Sequence, residues 1–346
     1  MPDPARARRP RRPVAFLVAA FLVVLAEASV RWLAPSLPAP PVWPDRTTAT
    51  KAAQLDRISG SGCVDVVFAG NSMTRDGLVP SVFEDADRDR RRAYNAALDA
   101  ASPALLDRWL GEHVLPATRP ATVVIGLASF DLNSEASTPA AALRAYEDAP
   151  FTATGAAASV EEWFTRRSAL VRHRDALRQP DAVAGAVADR VRGVRADRAD
   201  ADGIDGILAA DGHGLSRRQL RYAGEPAAIE RLQRQFLEPF RIDGRQSAAL
   251  SALIATIRNA GATPVVLLLP VTSDFVDAHP DGARDVARFR AAVDAAVGDA
   301  AAVIETTVPP TGFADTHHLN GDGADLLSRR LPALLDRAGV PRARCG

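Results

Sequence analysis

Ser72, Asp315 and His318 are of the types, and at the spacings, that nucleophilic catalysis requires. A serine hydroxyl is a poor nucleophile until a base takes its proton, and an imidazole base must be oriented by an acceptor on its other nitrogen. Asp315 and His318 stand three residues apart in the stretch Phe313–Ala314–Asp315–Thr316–His317–His318–Leu319–Asn320–Gly321. On one tight turn their carboxylate and imidazole meet, and His318 Nε2 is left free. Ser72 lies about 240 positions upstream, directly after Gly70–Asn71. A lone G-x-S is equally the mark of a strand-to-turn junction with a polar helix cap; the D-x-x-H block shifts the expectation to a nucleophile. Asp315, His317 and His318 are also metal-ligand types, but no H-E-x-x-H or comparable set stands elsewhere, so neither metal nor cofactor is expected. His317 is expected at the surface or behind the base.

Such residues need a rigid frame. Val64–Ala69 is a short, β-branched apolar run closed by Gly70, the pattern of a buried parallel strand. Further runs predict strands over Arg92–Asn95, Thr122–Leu127, Pro264–Leu269 and Ala302–Glu305. Apolar residues at helical spacing predict helices over Pro103–Leu115, Ser247–Ala260, Asp285–Val297 and Gly321–Ala338. Strands alternating with helices imply an α/β fold, a doubly wound parallel five-stranded sheet. In such a sheet ligands bind beyond the carboxyl ends of the strands, where both Ser72 and the 313–321 stretch would lie. Residues from Asn133 to about Arg245 lose this rhythm and read as a helical insertion, with fragments at Val160–Leu170 and Ala227–Phe236 and a solvated charge run from Arg190 to Asp205. Within it, Asp211–Gly212–His213–Gly214 is ordinary turn chemistry that can also line the cleft.

Gly70–Asn71–Ser72 and Asp315–Thr316–His317–His318 resemble the nucleophile and D-x-x-H blocks of the SGNH, or GDSL-type, esterase and acyltransferase superfamily, with Asn71 where the family has aspartate. The resemblance covers Val64 to Ala338 apart from the insertion, and implies a flavodoxin-like three-layer α/β/α fold. It implies Ser72 as nucleophile, His318 as base and Asp315 as orienting carboxylate. The family's N-x-G block aligns with Asn95–Ala96–Ala97, and its G-x-N-D block with Ala128–Ser129–Phe130–Asp131. That makes the Ser72 and Ala97 amides the oxyanion donors. Phe130 stands where an asparagine donor belongs, so either Ser129 or Asn133 substitutes or the Ser72 and Ala97 amides suffice. Asn71, Arg75 and Phe130 are the expected substrate contacts, Arg75 toward an anionic group. The anchored form of the domain is similar to the branch that includes the teichoic-acid D-alanylation and alginate O-acetylation proteins. This implies an O-acyl esterase or acyltransferase acting through an acyl-enzyme on an envelope glycan or lipid, beside a multi-spanning membrane acyltransferase. The alternatives are a non-catalytic envelope protein on the same scaffold and a soluble, released lipase.

The 346 residues suffice for a sizeable core, and 47% hydrophobic with 24% charged content is that of a folded protein. Lys+Arg and Asp+Glu both number 42, so net charge is zero, and no basic stripe with interleaved aromatics points to nucleic acid. Lys51 is the single lysine. Arginines 6 to 12 precede an apolar stretch from Val14 to Leu33 long enough, at about 1.5 Å per residue, to cross a hydrocarbon core. The expected division is residues 1–13 as a cytoplasmic tail, 14–33 as a membrane helix, 34–60 as a Pro-rich linker, and 61–346 as the extracytoplasmic domain, with the insertion at about 134–245. Glu27 would reach headgroups, and Trp32 would lie at the interface. Ala26–Glu27–Ala28 also has the form of a signal-peptide cleavage site. Cys63 and Cys345 can pair in an oxidising compartment; the sequence leaves this open. Trp109 and Trp163 are expected to pack in the core or insertion.

Overall fold

The structure, a computed structural model, describes residues 12–37, 43–149, 167–178, 180–192 and 208–345. They fall into two compact units: residues 1–42 with 150–202, and residues 43–149 with 203–346.

The larger unit is built on five parallel strands, β1 (Val66–Gly70), β2 (Ala93–Asn95), β3 (Thr122–Leu127), β4 (Thr263–Leu268) and β5 (Ala302–Glu305). Their order is β2-β1-β3-β4-β5. Register pairs Val66 with both Ala93 and Thr122, and Val124 with Val265. The expected strands are all present, with ends displaced by one or two residues in β1, β2 and β4. Side chains alternate across a strand, so Val66, Phe68, Val124, Val265 and Leu267 share one face, where they join a buried cluster with Leu78, Phe83, Leu327 and Leu331. Those partners come from the end of the helix Ser72–Gly77 (Leu78), the helix Pro80–Ala86 (Phe83) and the C-terminal helix Gly321–Arg337. The opposite residues, Val67, Val123 and Val266, are equally buried. The helices Pro103–Trp109 and Arg245–Asn259 pack against each other and touch β1 and β4. Trp109 is fully buried and donates to Ala96 O at 2.8 Å; Trp163 lies outside the described residues. Because β2 and β3 flank β1, the chain changes winding direction there. The crevice at the carboxyl ends of β1 and β3 is therefore the switch point.

The expected linker is not all spacer. Residues Arg46–Ser61 form a helix, capped by Asp45 accepting from Thr48 N–H at 2.8 Å. Leu55 and Lys51 lie buried on its inner side. Cys63 and Cys345 form a disulfide with Cα atoms 6.0 Å apart, closing the amino-terminal edge of the unit onto its carboxyl end.

The insertion also divides. Its ends, helix Ser137–Glu147 and residues 208–245, belong to the sheet-bearing unit. Its described middle, helices Ala169–Arg172, Arg174–Leu177 and Pro180–Val191, belongs with the N-terminal helix Arg12–Leu33. There Val30, Leu33 and Leu37 bury themselves with Ala169 and Ala186. Glu27 does not point to headgroups. It accepts from Ser168 Oγ at 2.8 Å and from Ala169 N–H at 2.7 Å. Trp32 carries the Arg190 guanidinium 5.5 Å from its ring centre. The expected Val160–Leu170 helix lies outside the described residues before 167, as does the charge run beyond 192. The stretch Phe16–Leu33 has mean hydropathy 2.0 and is apolar and long enough to cross a membrane, a property that a signal sequence shares.

Candidate active site

The turn after β1 is tight for a steric reason. Gly70 has φ +151°, and a Cβ there would lie 2.2 Å from Thr74 Oγ1 and 2.7 Å from Gly126 O. The chain then enters the short helix Ser72–Gly77. Asn71 caps it, its Oδ1 accepting from Met73 N–H at 2.8 Å, while its Nδ2 donates to both oxygens of Asp131. Ser72, half-buried, heads the helix. Asn95 braces it from β2, donating to Thr74 O at 2.9 Å and Leu78 O at 2.8 Å.

The second loop comes from residues 313–320, pinched by a bridge between Phe313 and Leu319. Asn320 caps the last helix and also donates to Thr311 O and Phe313 O. Asp315 Oδ1 accepts from the His317 and His318 amides at 3.0 and 2.8 Å, holding its carboxylate against the ring. His318 Nδ1 lies 2.8 Å from Asp315 Oδ2, and His318 Nε2 lies 2.9 Å from Ser72 Oγ. Three residues separated by up to 246 positions form a continuous relay. Both nitrogens of His318 are engaged, which leaves it no lone pair for a metal, although the ligand atoms of Asp315, His317 and His318 lie within 4.8 Å of one another.

Burial pushes the Asp315 carboxyl up, but the His318 hydrogen bond, the charges of both histidines and the His317 amide hold it far below the usual carboxylate range. It is thus the anion that an imidazolium at His318 requires. Behind it runs an ionic chain, buried at Arg75 and Asp76. Arg217 donates to Asp76 and lies 3.6 Å from Asp315, and Arg75 binds Asp76 at 2.8 Å and also Asp99. A 430 Å³ cavity opens over Ser72 and His318, walled by Phe130, Phe236, Arg217 and His317.

Several expected contacts are placed differently. Arg75 is 5% exposed, is spent on Asp76 and Asp99, and does not line the cavity. Asn71 does line the cavity, with its side-chain oxygen taken by the helix cap and its amide by Asp131. Ala97 is sealed, and its N–H donates to Asn95 Oδ1 at 3.1 Å. Ser129 turns away, its Oγ 2.7 Å from His279 Nε2. Asn133 donates to Phe236 O and Pro239 O and accepts from the Arg241 amide, clasping the returning chain. None of these three is free to meet an oxyanion. Phe130 does line the cavity, and His317 stands in its wall rather than at the surface.

Sequence reasoning missed Arg217, whose surroundings are ordinary loop. It also missed Lys51, which is fully buried and donates to Asn95 O and, at 2.6 Å, to Gly212 O. Being the single lysine of an arginine-rich chain was its signal. Asp211–Gly212–His213–Gly214 does not line the cavity. It straps the helix that begins at Ser72, Gly214 N–H donating to Arg75 O at 2.9 Å and His213 Nδ1 lying 2.6 Å from Asp211 Oδ1. No family model matches the sequence, and no curated protein matches it.

Proposed function

We propose that this chain is an SGNH-type, serine-dependent O-acyl esterase or acyltransferase, held in the membrane by its N-terminal helix with the catalytic unit outside. The single observation that carries the reading is the relay from Ser72 Oγ through His318 to an ionised Asp315 at the floor of an open cavity. Ser72 Oγ attacks the acyl carbonyl carbon while its proton passes to His318 Nε2. The carbonyl electron pair moves to oxygen, and Asp315 stabilises the imidazolium. Collapse expels the alkoxide, which takes the proton from His318, and leaves Ser72 acylated. Water or a sugar hydroxyl then reverses the sequence.

The substrate class is an acylated envelope glycan or lipid, with a multi-spanning membrane acyltransferase as the donor if transfer rather than hydrolysis dominates. No resident cofactor enters these steps. A disulfide suited to an oxidising compartment supports an extracytoplasmic setting. Packing of Val30, Leu33 and Leu37 into the smaller unit supports an N-terminal helix that is retained. A second reading, a binding protein on the same scaffold, draws on the displacement of Ala97, Ser129 and Asn133 from the oxyanion position.

Labelling by a fluorophosphonate and turnover of 4-nitrophenyl acetate separate the two. Wild type labels and turns over, and Ser72→Ala and His318→Ala each lose about 10⁴-fold or more in kcat. An unlabelled, inactive wild-type protein that is folded establishes the binding reading instead.

A further inference from the structure

Acyl transfer needs donors aimed at the developing oxyanion, each worth about 10²–10³ in rate. The Ser72 amide supplies one. It opens a helix, where no intrahelical acceptor exists, and has no other partner among the described residues. The side chain expected beside it is Phe130, which has no donor, and the substitutes are spent elsewhere.

We infer that His317 is a further catalytic residue, its imidazole Nε2–H donating to the oxyanion in the place the missing amide side chain would hold. This rests on the acyl-transfer reading above. The ring lies in the wall of the Ser72 cavity, its centroid 4.1 Å from that of His318. Phe130 packs edge-on at 5.9 Å and Phe275 at 5.8 Å, which fix its plane. Phe130 is thus the support for the donor rather than the donor. Thr316 Oγ1 lies 2.9 Å from His317 Nδ1, and that hydroxyl has no other partner among the described residues. With the Thr316 O–H as donor to Nδ1, which also lies 3.5 Å from Asp315 Oδ1, the ring proton is on Nε2. Thr316 is itself pinned, its carbonyl accepting from Thr272 Oγ1 at 2.6 Å. Among the described residues Nε2 has no hydrogen-bond partner and is not sealed from solvent. Burial, then the charge on His318, push the His317 pKa down to about 3, against the pull of Asp315 and Asp76. A neutral imidazole therefore stands beside His318 as the latter becomes charged, and neutral imidazole is a competent electrophile.

In the attack step the Ser72 proton goes to His318 and the carbonyl pair to oxygen. The Nε2–H of His317 and the N–H of Ser72 bind that oxygen without transferring a proton.

The test uses the full chain, 4-nitrophenyl acetate as probe, and Ser72→Ala as control. His317→Ala is expected to lower kcat about 10²–10³-fold with little change in KM. His317→Gln keeps a side-chain N–H and recovers at least about tenfold of that loss. Thr316→Val, which releases the tautomer, costs about tenfold in kcat. Thermal melts confirm folding; if His317→Ala is unfolded, the Gln and Val variants decide. The inference is overturned if Ser72→Ala is inactive while the His317 variants keep kcat within about threefold of wild type, or if Gln does no better than Ala. Turnover surviving in Ser72→Ala removes the nucleophile reading itself, a separate result.

Discussion

The Asn71 side-chain amide donates to both carboxylate oxygens of Asp131 at 2.8 Å while its own oxygen caps the helix that begins with Ser72. Asp131 is fully buried, and it also accepts from Ala128 N–H at 2.7 Å. The backbone at Ser72 is therefore set by a carboxylate on the neighbouring strand's exit loop, not by contacts of the serine itself. Burial pushes the Asp131 carboxyl up to about 7, against the Ala128 and Asn71 hydrogen bonds. With the folded pKa above the unfolded value of about 3.9, the folded state holds the extra proton. The associated stability is fully present below about pH 4 and is lost as pH rises through about 7. The unfolding free energy from urea titrations across that range should fall with pH by up to about 1.4 kcal/mol per unit, and Asp131→Asn should remove that slope. Equal slopes in both proteins would refute it.

Lys51 joins the helix Arg46–Ser61, the end of β2 and the Asp211–Gly214 strap through two carbonyls. Burial, then the Arg75 charge, push its pKa down to about 7. A neutral amine has two protons, matching the two acceptors. Lys51→Met deserts both carbonyls at about 1–3 kcal/mol each and lowers the Tm by several degrees. Since the folded pKa is depressed, the lysine's titration contributes stability above about pH 10 that is lost as pH falls through about 7. The Tm gap between wild type and Lys51→Met therefore widens from about pH 7 to pH 10. A constant gap argues against a buried neutral lysine.

Gly212 has φ +86°, and a Cβ there would lie 2.2 Å from Asn95 O. Backbone cannot give way as a side chain can. Gly212→Ala is expected to cost more stability than Lys51→Met and to reduce turnover, because Asn95 braces the helix behind Ser72. Melts and kinetics on the two variants check this ordering.

The Cys63–Cys345 disulfide closes 282 residues of separation, at the opposite end of β1 from Ser72. Its loss should cost about 2–5 kcal/mol of stability. A Cys63→Ser, Cys345→Ser double variant should melt lower yet keep kcat near wild type well below its Tm. A large kcat loss in the folded variant would show that the edge and the site are coupled.

Glu27 binds Ser168 Oγ and the Ala169 amide within the smaller unit, so cleavage at Ala26–Glu27–Ala28 would remove a working contact. The full chain should resist alkaline carbonate extraction and carry its original amino terminus by intact mass. A mature protein beginning just after Ala28 would overturn the retained anchor.

Five strands were legible because buried parallel strands are short apolar runs between turn residues, a pattern written in neighbours along the chain. Asp315 and His318 were legible for the same reason, since three residues on one turn can meet whatever the rest does. The apolar N-terminal stretch was likewise a local property. What the chain order could not convey was through-space partnership. Whether Ser129 faces the cavity or His279, whether Arg75 meets substrate or Asp99, and whether Cys63 finds Cys345 depend on elements brought together from 24 to 282 residues away. Residue types alone determined the chemistry available to this protein. Tertiary packing decided which groups are spent on holding the chain and which, Ser72, His318 and His317 among them, are left facing the open space, because most buried polar atoms must find a partner.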